Sequence, residues 1–137
     1  MPYTLLVVEA SETNRDMLAT LLRRNGYRVL EAGNGAEALT MAAQEPIDLV
    51  LLDLSLTDLD DGEILRRMQA LPALAGVPII GVSTHNRPGA AEVARAAACA
   101  GYITRPIALA SFLDLLAHHL RQAPPGPPDT GPDSLPT

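Results

Sequence analysis

Four residues could handle a phosphoryl group together: Glu9, Asp53, Ser83 and Arg105. Each ends a short run suited to a strand: Leu5-Leu6-Val7-Val8, Leu49-Val50-Leu51-Leu52, Ile79-Ile80-Gly81-Val82 and Tyr102-Ile103-Thr104. Strands buried on both faces read as unbroken apolar runs, so these residues are expected at the carboxyl ends of parallel strands. That edge is where open α/β sheets keep their chemistry. A carboxylate there can act as nucleophile and form an aspartyl-phosphate. A divalent ion beside two acids can neutralise the transferring oxygens, and a hydroxyl with a guanidinium can hold the product. The plainer readings are that Asp53 starts a turn and that the acids pair with Arg105 as a structural ion pair. A structural pair needs no hydroxyl at the same edge.

The elements that must position these residues alternate along the chain. After the first strand, Ser11-Glu12-Thr13 offers helix-cap chemistry. Met17, Leu18, Leu21 and Leu22 then recur at helical spacing over a helix from about Glu12 to Arg24, which Asn25-Gly26 stops. Tyr27 to Ala32 reads as a short second strand. Asn34-Gly35 caps a helix over Ala36 to Gln44 with Ala38, Leu39 and Met41 inward, and Pro46 ends it. The third strand runs from Ile47 to Asp53, a loop with three acids follows over Ser55 to Asp61, and a helix over Gly62 to Ala70 buries Ile64, Leu65 and Met68. The fourth strand spans Val77 to Val82, with Pro78 tolerated near its start. A light, Ala-rich fourth helix should occupy Pro88 to Ala100. A short fifth strand over Tyr102 to Thr104 precedes a fifth helix with the stripe Leu109, Phe112, Leu113, Leu116 and Leu120. This βα alternation with short connections predicts an α/β fold, a doubly wound five-stranded parallel sheet with helices on both faces.

Composition sets the outer limits. At 137 residues, with 47% hydrophobic and 19% charged content, the chain suits one domain, expected over 1–122. Six of its 12 prolines fall within 123–137, so that tail is expected to be disordered or polyproline-like. A net charge of −6 argues against nonspecific binding to nucleic acid or an anionic membrane. Cys99 is the only cysteine, which excludes an intrachain disulfide and fits a reducing compartment. No apolar run approaches membrane-spanning length, and no charged leader precedes the first strand. The expectation is a soluble cytoplasmic protein. All 10 basic residues are Arg.

Read together, the motifs resemble the receiver domain of two-component response regulators, in its single-domain, chemotaxis-regulator-like form. The resemblance runs from about Thr4 to Arg121. It is carried by Leu6-Val7-Val8-Glu9, Thr13-Asn14-Arg15, Asn25-Gly26-Tyr27, Asn34-Gly35-Ala36-Glu37-Ala38-Leu39, Asp48-Leu49-Val50-Leu51-Leu52-Asp53, Pro78-Ile79-Ile80 and Tyr102-Ile103-Thr104-Arg105-Pro106-Ile107. It implies a flavodoxin-like three-layer sandwich with strand order 2-1-3-4-5. It also implies Asp53 as phosphoacceptor, and Mg²⁺ held by Glu9, Asp53 and the backbone carbonyl of Ser55. Ser83 and Tyr102 match the switch pair, and Arg105 replaces the Lys that contacts the phosphoryl group. The implied partners are a histidine kinase or phosphotransfer protein, and a downstream protein met by the fourth helix, fifth strand and fifth helix. With no output domain after the fifth helix, a stand-alone regulator that is not an enzyme is expected.

The chain also departs from that pattern. Ala10 stands where the family has its second acid, a direct Mg²⁺ ligand, so the metal should be held weakly. Glu12 is a conceivable stand-in. Arg105 keeps the charge of the usual Lys but is bulkier and forked. Thr57, Asp61 and Gly62 alter the loop after the acceptor. These changes support an alternative, a pseudo-receiver that binds partners without phosphorylation. A flavin protein is less favoured, because these loop ends offer acids where a flavin phosphate wants amides and hydroxyls. His118-His119 suits the end of a helix dipole, His85 a solvated loop, and Cys99 a small packed side chain.

Overall fold

A computed structural model describes residues 3–54, 63–83, 99–104 and 107–122 of the chain. Five parallel strands form one sheet in the order β2-β1-β3-β4-β5: β1 (Thr4–Val8), β2 (Arg28–Ala32), β3 (Leu49–Asp53), β4 (Ile79–Ser83) and β5 (Gly101–Thr104). Helices α1 (Glu12–Arg24), α2 (Gly35–Gln44) and α3 (Glu63–Ala70) connect them, with a 3₁₀ turn over Pro72–Leu74 and a C-terminal helix over Leu109–Gln122. Residues 88–98 of the expected fourth helix, the loop over Ser55 to Asp61 and the tail lie outside the described residues, while Cys99 and Ala100, its expected end, form a bend, with the Ala100 amide donating to the Ile79 carbonyl.

Alternation along each buried strand sorts the apolar side chains into two cores. Leu6, Val8, Val50, Leu52 and Ile79 face Ala38 and Ala42 of α2 and Ile64, Leu65 and Met68 of α3. Leu5, Val7, Leu49, Leu51, Ile80 and Val82 face Leu18, Ala19 and Leu22 of α1 and Phe112, Leu116 and Leu120 of the C-terminal helix. Every residue of β1, β3 and β4 is buried, as their unbroken apolar runs require.

The helix ends show why the connections are short. Ser11 caps α1, its hydroxyl accepting from the Asn14 amide at 3.2 Å. At the other end Gly26, with φ 89°, lets the Gly26 amide donate to Arg23 and the Tyr27 amide to Leu22, which closes the last turn and starts β2. Asn34 caps α2 through the Glu37 amide, while the Glu37 carboxylate accepts from Gly33. Two apolar residues assigned to inner stripes stand outside: Met17 is 65% and Leu109 48% exposed. On α1, Leu18, Ala19 and Leu22 already fill the inward arc, and Met17 sits about 100° round from Leu18. Strands β3 and β4 also begin later than the sequence suggests, and β5 one residue earlier, at Gly101. Ile47 is buried but precedes β3, and Pro78, lacking an amide hydrogen, precedes β4 while its carbonyl accepts from Val50.

Candidate functional site

Strand register brings the expected residues to one edge. Val8 pairs with Leu52, so Glu9, one residue on, falls beside Asp53. Asp53 pairs with Val82, next to Ser83, and Ser83 pairs with Thr104. Glu9, Asp53 and Ser83 are 3%, 4% and 0% exposed, which is uncommon for acids and marks this edge as more than a solvated rim. Ser83 is the last residue of β4 rather than a residue beyond it.

Glu9 is held at three of its polar groups. Its amide donates to Ala32 at 3.0 Å, extending the β1–β2 ladder by one bond. Its carboxylate accepts from the Ser11 amide at 3.1 Å, at the positively polarised start of α1. Its carbonyl accepts from Nη1 of Arg15 at 2.8 Å. Arg15 in turn lies 3.7 Å from Glu31, and Arg23 reaches the same Glu31 at 3.1 Å. Ala10, between Glu9 and the cap, is exposed, so its methyl group faces away from the core at the position where a further ligand would stand.

A Mg²⁺ ion accepts one or two carboxylates together with waters and phosphate oxygens. Glu9 and Asp53, two buried acids on one edge, fit that minimal set. Among the described residues no group of three or more His, Cys, Asp or Glu side chains is placed to hold a metal. The expected Ser55 carbonyl and Arg105 lie outside the described residues, as do Thr57, Asp61, Gly62 and His85. Glu12 is exposed on the first turn of α1.

Behind this edge, Tyr102 is half-buried against the core on the α3 face, together with Cys99 and Leu54. It pairs with Gly81, where an added Cβ would come within 2.8 Å of the Leu54 side chain. Leu54, the residue after Asp53, thus packs into the space that Gly81 leaves. The Tyr102 hydroxyl is buried and has no hydrogen-bond partner among the described residues. Leaving such a group unsatisfied costs about 1–3 kcal/mol, so among the described residues the ring is held by packing. His118 and His119 meet edge to face at 5.3 Å, and burial, then His118, holds His119 below the usual imidazole range. His119 packs near Gly101, away from the acidic edge.

Arg15 stands in one of the motifs that carry the resemblance, Thr13-Asn14-Arg15, but nothing in the sequence assigns it a role. Periodicity does not mark it, since it belongs to neither apolar stripe. The available signal is its place one turn into a capped helix, where side chains slant back toward the N-terminus and reach the preceding loop.

Residues 5–117 match the response regulator receiver domain family. The chain is 29% identical over 123 residues to the polar-differentiation response regulator DivK of Brucella anthropi, covering 90% of this chain and 100% of that one. It also resembles the receiver domain of a Pseudomonas aeruginosa sensor histidine kinase, solved with a magnesium ion coordinated in the active site cleft. That similarity has a TM-score of 0.79 and 26% identity over 88% of this chain and 99% of the other. The chemotaxis response regulator CheY4 of Vibrio cholerae shares the fold, with a TM-score of 0.76 at 23% identity over 87% and 99% of the two chains.

Proposed function

This chain belongs to the response regulator receiver domain family of two-component signalling, and from that premise we propose that Asp53 is its phosphoacceptor. The supporting observation is the placement of Asp53: a buried carboxylate at the carboxyl end of the central parallel strand, flanked in register by Glu9 and by Ser83. Receiver domains take their phosphoryl group from histidine kinases or phosphotransfer proteins. In the proposed step a carboxylate oxygen of Asp53 attacks the phosphorus of a phosphohistidine. The P–N bond breaks, and the imidazole nitrogen leaves with the bonding pair and takes up a proton. Mg²⁺, when bound by Glu9 and Asp53, supplies charge neutralisation at the transferring oxygens. The Ser55 carbonyl is proposed as a further ligand, and Arg105 as the cation that contacts the phosphoryl group.

The acyl phosphate carries about −1.5 to −2 charges where the carboxylate carried −1, so the buried edge gains at most about one negative charge together with three new acceptor oxygens, and Ser83 is the neighbouring hydroxyl that can donate to them. We assign the readout to Tyr102. Its hydroxyl has no hydrogen-bond partner among the described residues, and Ser83 and Leu54 lie on the strands and core next to it, so changes there are proposed to shift the ring between an inward and an outward position. The downstream partner is proposed to meet the segment over Pro88 to Ala100, β5 and the C-terminal helix. The proposed domain ends near Gln122. Among the described residues no helix is long and apolar enough to cross a membrane.

The test is intact mass after incubation with a small phosphodonor and Mg²⁺. A mass increment of one phosphoryl group, which does not form when the metal is chelated beforehand, supports the reading. An unchanged mass at donor concentrations that modify ordinary receivers would favour the alternative that Ala10 suggests, a partner-binding module that works without phosphorylation.

Ala10 gives a second prediction. Ala10→Asp adds a hard anionic oxygen beside Glu9 and Asp53, so Mg²⁺ should bind about tenfold more tightly, at the low end of effects seen for partners of metal ligands. Without metal the third carboxylate repels the other two, and the variant should melt below wild type until Mg²⁺ restores it. Melting temperature against Mg²⁺ concentration checks both signs, and identical curves for the two proteins would sink this account of Ala10.

A further inference from the structure

We infer that Arg15 is a positioning residue for the acidic site, its guanidinium fixing the turn that presents Glu9. The inference rests on reading Glu9 and Asp53 as a Mg²⁺-assisted phosphoryl site. Three elements meet on this side chain. Nη1 donates to the Glu9 carbonyl at 2.8 Å, Nε lies 3.7 Å from a carboxylate oxygen of Glu31 on β2, and Nη1 stands 3.1 Å from where a Cβ on Gly33 would be. Arg15 therefore ties α1 to the exits of both β1 and β2.

Arg23 provides an internal comparison. It reaches the same Glu31 from the same helix, but its side chain is 50% exposed whereas that of Arg15 is 18% exposed. Exposed ion pairs contribute little, while a charge-assisted bond to a backbone carbonyl in a half-covered place holds its acceptor firmly. The Arg23 fork goes to Glu31 and the Val29 carbonyl, so it secures β2 only. Arg15 alone of the two touches Glu9. Its planar fork spans the Glu9 carbonyl and the Glu31 carboxylate together, which the single ammonium of a Lys does less well. With the carbonyl pinned from α1 and the carboxylate drawn to the Ser11 amide, Glu9 has little freedom left to turn away from Asp53.

Positioning and charge make opposite predictions. If Arg15 acted only through its charge, removing a cation near the site would strengthen binding of a second cation, Mg²⁺. If it positions Glu9, removing it must weaken Mg²⁺ binding despite that gain. Gly33→Ala separates the two again, because its methyl group would crowd Nη1 and displace the fork with the charge intact, and Gly33 is not among the glycines with positive φ.

The experiment is a MgCl₂ titration of ¹⁵N-labelled protein followed at the Ser11 amide, on wild type, Arg15→Met, Arg15→Lys, Gly33→Ala and Arg23→Met. Arg15→Met should weaken Mg²⁺ binding about tenfold, the scale known for residues that orient metal ligands, and should shift the Ser11 resonance before metal is added. Gly33→Ala should move both in the same direction by less, and Arg15→Lys should recover part of the loss. Arg23→Met should leave both as in wild type. Unchanged or tighter Mg²⁺ binding by Arg15→Met, or an equal loss in Arg23→Met, would overturn the inference. Should Arg15→Met fail to fold, Gly33→Ala carries the test alone. If wild type bound no Mg²⁺, the phosphoryl-site reading would fall. The metal-free Ser11 resonance would then still decide, an unshifted one overturning the clamp and a shifted one retaining it.

Discussion

Asp53→Asn is expected to take up no phosphoryl group under conditions that modify wild type, because the amide nitrogen replaces one of the two nucleophilic oxygens and removes the charge that drives attack. Alternative acids at the edge do not rescue it. Glu9 is committed through its carboxylate to the Ser11 amide and belongs to the neighbouring strand exit, not to the end of β3. The same change should raise stability in metal-free buffer. Glu9 and Asp53 are both buried at one edge, and removing one of the two neighbouring carboxylates relieves their repulsion. The opposite should hold with Mg²⁺ present, since wild type gains from a ligand that the variant holds poorly. Intact mass and melting curves with and without metal check both parts. A phosphorylated Asp53→Asn protein would move the acceptor elsewhere.

Phe112→Ala should cost about 3–5 kcal/mol of unfolding free energy, the range for truncating a buried aromatic side chain. Phe112 is the chain's one Phe, 2% exposed, and the largest fully buried side chain among the described residues. It lies in the core that joins the C-terminal helix to α1 and to the rows Leu5–Val7 and Leu49–Leu51 under the acidic edge. A domain with a typical reserve of about 5–15 kcal/mol would lose a large part of it. Leu109→Ala on the same helix is the control: at 48% exposed it should shift stability by well under 1 kcal/mol. Urea midpoints at constant slope measure both. Equal effects would mean that the C-terminal helix is not docked through Phe112.

Much of this architecture was legible because burial writes itself into strand composition. Val50-Leu51-Leu52 has no polar face to offer, so the strand had to be internal and the acid at its end had to be at an edge. Ser11 and Asn34 were readable as caps, and Asn25-Gly26 as a stop, because helix termini leave backbone groups that only a few residue types satisfy. Met17 misled because apolar spacing gives a helix but not the width of its buried arc, which depends on how closely Ala19 lets α1 approach the sheet. The 3₁₀ turn at Pro72–Leu74 was hidden, since one turn is too short to show a period. Strand order came from resemblance, and the pairing of β1 with both β2 and β3 bears it out. The contacts of Arg15 were illegible for a different reason. They go to a backbone carbonyl, a carboxylate and a glycine surface on two other strand exits, and only the folded register brings these together.

The core against which both Cys99 and Tyr102 pack gives the chain a chemical clock of its own. Burial pushes the Cys99 thiol up to about 11, with a Gly81 backbone hydrogen bond opposing that in part, so little reactive thiolate exists at neutral pH. Alkylation then proceeds mainly through moments when this core opens, at a rate set by the opening equilibrium. Because Tyr102 pairs with Gly81 and shares the core with Cys99, an outward swing of the ring would loosen the thiol's surroundings. With one cysteine in the chain, a labelling half-life that shortens with phosphodonor would report such a swing in the unmodified sequence, and an unchanged one would speak against it.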